Sequence, residues 1–461
     1  MNWISWLCPG MNLKRWLLLF SGGVLCCAFS LALLFNDQTI GFVEEMLFRM
    51  SYMTTGRYNN GLMIAAGIVS LAAGLIIMFY ATRRIVRSVM DAVLPENNGS
   101  LMETIFTQRK LSNGPAVTVV GGGTGLSTLL RGMKYITGNC TAVVTVADDG
   151  GSSGRLRQEL GIIPPGDLRN CLVAMADREP LMERVMQYRF KGDSALAGHS
   201  LGNLFLAAIA ETEGGMEEGL KAASQILKIR GHVIPSTLSN IQIRADMADG
   251  TSVLGESEIT NAGKKIVRLH MVPADAPATK SAVQAIRDAD VLIFGPGSLY
   301  TSVLPNLLVP GIREAVLASK AFKIYICNVM TQPGETDGYG AYDHVKALID
   351  HVGKQFLDYV IVNDQDISDE QKRMYRAKGQ EYVTPDIQKI EQLGIKPIPT
   401  RLISKEDMVR HDPQKLAMVL ISLIYRLRLF GRGYVFFDYL FVRLSMRRMR
   451  KNRAAKQESK P

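Results

Sequence analysis

Two uninterrupted apolar runs open the chain: Trp16 to Phe35 and Gly61 to Tyr80, each twenty residues without a charge. Each has the length needed to cross a hydrocarbon core of about 30 Å, so two transmembrane helices are expected. A cleaved leader would show a shorter apolar core and a small-residue cleavage site, which the first run does not. Beyond residue 93 the pattern changes. Residues 94–114 carry Pro, Asn, Gly and Ser at both ends with little sustained period, the composition of a linker. From residue 115, short apolar runs rich in β-branched and aromatic residues (Val117–Val120, Thr141–Ala147, Val291–Phe294, Ile324–Cys327, Tyr359–Val362) alternate with helical periods at 127–136, 167–177, 202–212 and 341–353. That alternation predicts an α/β fold, a Rossmann-like, doubly wound, mainly parallel sheet. Residues 236–261 break it by alternating apolar and polar positions around Asp249-Gly250, which predicts a small antiparallel hairpin excursion.

Charge suggests nucleic acid until it is divided along the chain. The 461 residues carry a formal +10. Residues 1–95 hold seven basic against four acidic side chains and residues 430–461 nine against two, leaving the stretch between them neutral. A nucleic-acid-binding domain carries its basic footprint on the folded body, so no nucleic-acid partner is expected. Basic ends suit a membrane. Lys14 and Arg15 precede the first run while Arg83, Arg84 and Arg87 follow the second, which by the positive-inside rule puts both flanks in the cytoplasm. The expected localisation is the cell membrane, multi-pass, with the main domain cytoplasmic. Near the far end, aromatic and aliphatic residues interleave with Arg443, Arg447, Arg448, Arg450, Lys451 and Arg453, as in segments that lie on an anionic leaflet. The hydrophobic share of 47% allows a large core. The six cysteines (Cys8, Cys26, Cys27, Cys140, Cys171, Cys327) have no CxxC spacing, so neither a disulfide framework nor a thiolate metal site is implied. The expected organisation is a two-helix membrane anchor over 1–93 (spans 16–35 and 61–80), a linker over 94–114, an α/β domain over 115–412, and a C-terminal helix with a basic amphipathic tail over 413–461.

Open α/β sheets bind ligands beyond the carboxyl ends of their strands. The loops there read GGGTGLS (121–127), DDGGSSGRLR (148–157), GPGSLYTS (295–302) and NVMTQPGET (328–336). In the first, Gly121, Gly122, Gly123 and Gly125 leave amides bare at a helix start and Thr124 and Ser127 add hydroxyls, a layout that suits a phosphate. The redox dinucleotide fingerprint is incomplete, because G-x-G-x-x counted from Gly121 reaches Leu126 and from Gly123 reaches Thr128. No redox cofactor is expected. Asp148 and Asp149, followed by Gly150, suit either a ribose hydroxyl or Mg²⁺ held against a diphosphate. Arg155, Arg157, Asp167, Arg169 and Asn170 gather around Pro164-Pro165-Gly166. Asp167 is placed to cap the next helix, and Arg155 or Arg157 to hold phosphate. His199 precedes a helix together with Ser200 and Asn203, and Gly295, Gly297, Ser298, Thr301 and Ser302 form a second helix-entry loop suited to an anion. His344 and His351 share a helix face without a third ligand, short of a metal site. No nucleophile-and-base arrangement is legible, and no catalytic residue is assigned.

Six blocks in order, VVGGGTGLSTLLRGMK, TAVVTVADDGGSSGRLR, GIIPPGDLRNCLVAMAD, GHSLGNLFLAAI, FGPGSLYTSVLPNLLVPGI and NVMTQPGETDGY, resemble the gluconeogenesis factor (YvcK-type) family of the CofD-like superfamily, over about residues 115–410. The resemblance implies a domain that binds a UDP-sugar such as UDP-N-acetylglucosamine and supports cell shape and envelope synthesis under gluconeogenic growth. In the superfamily's phospholactate transferases, similar loops hold the nucleotide side of a guanosine diphosphate donor with Mg²⁺. By motif match this implies nucleotide contacts at Gly122, Gly123, Thr124, Gly125, Asp148 and Asp149, then at Asn203, Gly297 and Ser298. The 150–170 block looks like the gluconeogenesis factor branch. Two expectations follow: a UDP-sugar-binding regulator, homo-oligomeric and with an envelope-synthesis protein partner, or a Mg²⁺-dependent transferase of a phosphate-linked group.

Overall fold

The structure, a computed structural model, describes residues 13–35, 61–93, 114–177, 179–403 and 411–429, with a few isolated positions besides. Most of the expected linker and all of the basic tail lie outside the described residues. The chain divides into two compact units, 1–107 and 108–461.

In the first unit the two apolar runs become helices, Leu13–Phe35 and Gly61–Val93. Each is long and apolar enough to cross a membrane. They pack on one another where glycines let the backbones meet. A Cβ on Gly23 would lie 3.1 Å from the Gly74 carbonyl, and one on Gly74 3.0 Å from that of Gly23, the small-residue packing that holds helices together in lipid. Their outer faces stay apolar, with Leu18 73% and Phe79 72% exposed, unlike the core helices of a soluble domain. At one end Trp16 meets Tyr80 edge-on at 5.8 Å, and the Arg84 guanidinium sits 5.1 Å from the Trp16 ring centre, the aromatic and basic mixture of a membrane interface.

The second unit is built on ten strands: β1 (Val117–Gly121), β2 (Cys140–Val144), β3 (His232–Pro235), β4 (Gln242–Met247), β5 (Ser252–Leu254), β6 (Ile266–Val272), β7 (Val291–Phe294), β8 (Phe322–Ile326), β9 (Tyr359–Asn363) and β10 (Lys396–Thr400). Seven form a parallel sheet in the order β10-β9-β8-β7-β1-β2-β3. From β1 the chain winds one way through β2 and β3, then returns to β7 and winds the other way. The strand order therefore reverses between β1 and β7, the switch point at which such sheets hold ligands. β1 is buried along its whole length, as its uninterrupted apolar run requires. Helices 123–133, 166–175 and 413–429 contribute Leu126, Leu129, Leu172 and Leu420 to the same core.

The hairpin predicted at 236–261 forms as β4 and β5 around Gly250 (φ +82°), but β6 joins β4 on the other side to make a three-stranded antiparallel sheet. Two parallel strands go unpredicted, β3 (HVIP) and β10 (KPIPT), because both contain proline. In β10 this is tolerated since the strand is an edge. Its inward residues serve β9, with Lys396 N–H donating to Asp358 and Thr400 accepting from Asp364, and Pro397 and Pro399 occupy the outward positions.

Candidate functional site

At the switch point, β1 passes directly into helix Gly123–Met133. Gly123 has φ +65°, a left-handed turn that glycine adopts without steric cost. Gly122 caps the helix without a side-chain acceptor of its own, and the Gly123 N–H is taken by Asp167, so Thr124 and Gly125 stand next at the positive end of the helix dipole. After β7, the loop Gly295–Ser298 enters a π-turn, Leu299–Val303. The two loops nearly touch: a Cβ on Gly125 would lie 2.4 Å from the Pro296 carbonyl oxygen. Asn306 ties them together by donating to the carbonyls of Gly121 (3.2 Å) and Ser302 (2.8 Å).

Between them opens a crevice of about 190 Å³, lined by Gly122–Gly125, Thr128, Pro296, Gly297, Ser298, Ser302, Asn328–Gln332, Gln380 and His411. Its charge-bearing surface is unusual for an anion site: no lysine or arginine is among the described lining residues. Any anion here is held by amides, hydroxyls and helix ends. The amide side chains are already ordered. Asn328 donates to Gly297 O at 2.8 Å and accepts from Gly297 N–H at 3.3 Å, and Gln332 donates to the Ser298 hydroxyl. Ser127 and Thr301 point elsewhere, to Gly123 O and to the Glu335 carboxylate.

The expected residues of the second loop and its neighbours assemble beside this crevice and are not among its lining residues. Asp149 accepts from both the N–H (3.0 Å) and hydroxyl (2.7 Å) of Ser257, holding the β5–β6 connection. Asp148 accepts from Gly150 N–H at 2.9 Å. Arg155 and Arg157 donate to the carbonyls of Ala197 (2.8 Å) and Ile241 (2.6 Å), so both are engaged within the protein. Arg169 is buried and grips Ser200, Asn203 and Asn170. His199 meets the Ser152 hydroxyl at 3.1 Å, and Asn203 donates to the same oxygen. Burial lowers the His199 pKa, keeping the ring neutral. Asp167 is not the cap of its helix, whose preceding residue is Pro165. Its carboxylate reaches across to accept from Gly123 N–H at 2.6 Å, and so joins the cluster to the crevice.

Carboxylates accumulate on this side. Burial, then the Asp148 charge, raises the Asp167 pKa to about 6. Burial followed by Asp148, Asp167, Glu335 and Asp149 raises Glu256 to about 9. Burial raises Glu335 to about 7. Burial first and, for Asp167 and Glu256, neighbouring carboxylates second leave negative charge that protons or a cation would relieve. All-oxygen donors have the chemistry of a hard cation such as Mg²⁺, although no three ligating side chains converge on one metal position among the described residues.

His344 and His351 are buried and structural. His351 donates to Ala347 O and accepts Leu269 N–H at 2.9 Å, joining its helix to β6. Sequence reading missed two crevice residues, Gln380 and His411, each arriving from a connection beyond the last expected strand. His411 is held by a bridge to Ile403, and burial lowers its pKa to about 4, so it faces the crevice as a neutral ring. An isolated histidine before the Asp412 cap carries no sequence signal of this placement.

Fold and site together define a doubly wound α/β protein with a glycine-lined crevice at its switch point. A family model described as 2-phospho-L-lactate transferase CofD matches residues 117–403. The gluconeogenesis factor of Bacillus subtilis is 49% identical over 311 residues, 67% of this chain and 98% of its own. A Clostridium acetobutylicum relative is 40% identical over 471 residues, 100% of both chains. The crystal structure of a Bacillus halodurans protein, 49% identical, superposes with TM-score 0.65 and covers 67% of this chain and 100% of that one. The chain belongs to the gluconeogenesis factor family of the CofD-like superfamily. Its shorter members match about two thirds of this chain with nearly their whole length, and the Clostridium relative matches it throughout.

Proposed function

We propose that the protein is a membrane-tethered regulator that binds a UDP-sugar of the UDP-N-acetylglucosamine type at the switch-point crevice and so governs cell shape and envelope synthesis during gluconeogenic growth. The observation that carries this reading is the crevice itself: two facing glycine loops that present the Thr124 and Gly125 end of a helix, beside neutral amide and hydroxyl groups. Amides and helix ends suit a diphosphate, and Asn328, Gln332 and Gln380 suit sugar hydroxyls or a uracil edge. At about 190 Å³ the crevice is smaller than typical whole-ligand pockets of about 300–1,000 Å³, a size for the diphosphate and one attached ring, with the rest of the ligand at its mouth. Roles as ligand contacts fall to Gly122, Gly123, Thr124, Gly125, Gly297, Ser298 and Ser302, while Gly121, buried at the end of β1, supports the loop. Asp148, Asp149, Asp167, Asn170, His199 and Asn203 form the supporting wall. Tethering rests on the two apolar helices, which put the body beside lipid-linked precursors and an envelope-synthesis partner; self-association would bring several such bodies together. Regulation requires that the ligand bind two states of the protein differently. Calorimetry of the full chain with UDP-N-acetylglucosamine tests the reading: saturable heat supports it, and none at millimolar ligand refutes it.

A second reading is favoured by the carboxylate cluster. In a transferase of a phosphate-linked group, Asp148 and Asp149 would hold Mg²⁺, which would neutralise charge developing on a diphosphate. Asp167 would position the first helical turn through Gly123 N–H. Turnover of a nucleoside diphosphate donor, lost in Asp149→Asn with the fold intact, would establish it over simple binding.

A further inference from the structure

A second groove in this unit lies away from the crevice, between the edge strand β10 and helix Pro413–Leu429. It measures about 670 Å³. Its floor is apolar, made by Pro397, Ile398, Met418, Val419 and Leu427, and its rim carries Lys396, Arg401, Lys415 and Arg426. No carboxylate is among the described residues lining it. Lys415 is anchored by the Ile403 carbonyl at 2.6 Å, while Lys396, Arg401 and Arg426 are exposed.

Exposed sheet edges ordinarily attract another strand. This one cannot donate to it, because the even-numbered residues of β10 bond to β9 and both outward positions are prolines, 397 and 399. An occupant must fill an apolar floor without backbone pairing and satisfy a ring of cations. An acyl chain beneath an anionic headgroup meets both requirements without the backbone donors that a pairing peptide strand would need from this edge.

We propose that the groove binds an anionic phospholipid, acyl chain against Ile398, Met418 and Val419 and phosphate among Lys396, Arg401 and Arg426. The proposal rests on the membrane-tethered reading, which supplies the lipid. Helix 413–429 also packs directly on the switch-point helix, since a Cβ on Gly132 would lie 2.6 Å from Pro413 O and 2.7 Å from Ala417 Cβ. Lipid in the groove thus presses on an element that carries the crevice amides.

The test places the photoreactive residue benzoylphenylalanine at Val419 in the full chain, held in nanodiscs of phosphatidylcholine alone or with phosphatidylglycerol. Mass spectrometry reads the adduct. Phosphatidylglycerol adducts are expected in excess over phosphatidylcholine ones, falling about fivefold for each rim cation removed, as in Arg401→Gln and Arg426→Gln. Equal adducts of both lipids overturn the proposal. So does crosslinking to residues 430–461 or to a second copy in place of lipid. Failure of the tether reads out separately, as a chain stripped from bilayers by alkaline carbonate; vesicles of phosphatidylglycerol added to that chain still give the adduct if the groove is correctly assigned.

Discussion

Gly125→Ala is the sharpest perturbation of the crevice. A Cβ there would stand 2.4 Å from Pro296 O, 2.7 Å from its carbonyl carbon and 2.9 Å from Gly297 Cα. Comfortable carbon contacts are about 3.5–4.0 Å, so the two loops must part by roughly 1 Å. All three obstacles are backbone atoms, which cannot swing aside as a flexible side chain would. Overpacking of this kind costs about 1–3 kcal/mol, which lowers the melting temperature of a body this size by about 1–5 °C. Separating the loops also breaks the cradle, and UDP-N-acetylglucosamine affinity is expected to fall at least tenfold. Gly161→Ala is the control: Gly161 has φ +66° and nothing within 4 Å of the added Cβ, so it loses about 1 kcal/mol to strain alone and binds normally. Differential scanning fluorimetry and calorimetry read both effects. Wild-type affinity in Gly125→Ala would refute the assignment of these facing loops as the ligand cradle.

The carboxylate cluster sets a pH dependence. Asp167, Glu256 and Glu335 hold their protons more tightly folded (to about 6, 9 and 7) than unfolded. Their contribution is therefore fully present only below about pH 4 and is lost as pH rises from there through about 6, 7 and 9. Melting temperature should fall over that window, and Glu256→Gln should flatten the slope; an unchanged slope would contradict the clustering. Mg²⁺ at millimolar concentration should raise the melting point most at the alkaline end, and Asp149→Asn should abolish that gain if the cluster takes the cation. Arg169→Leu strands the buried Ser200 and Asn203 groups and the half-buried Asn170, and urea unfolding should show a loss of about 2–5 kcal/mol; a loss below about 1 kcal/mol would mean the network is not held by this residue.

Much of the sheet is legible in the sequence because buried parallel strands must be apolar on both faces, and β1, β2, β7, β8 and β9 are written that way. Prolines conceal β3 and β10, although β10 needs them for its edge. The glycine loops are readable as well, since bare backbone leaves few alternative explanations for GGGTG directly after an apolar run. The roles of the charged residues are not. Arg155 and Arg157 read as phosphate clamps, yet each is spent on a carbonyl of a distant loop. Asp167 reads as a local cap, yet it bonds Gly123, 44 positions away. Short side chains declare local backbone needs; partners chosen by tertiary packing, like the arrival of His411 at the crevice, have no local signature.

The central claim is that a nucleoside diphosphate sits where the strand order reverses. A crystal structure with UDP-N-acetylglucosamine tests it most directly. Diphosphate density is expected within hydrogen-bonding distance of the Thr124 and Gly125 amides, enclosed by the 121–125 and 295–298 loops. Density elsewhere, or a ligand whose diphosphate is held by lysine or arginine side chains away from those loops, would contradict it.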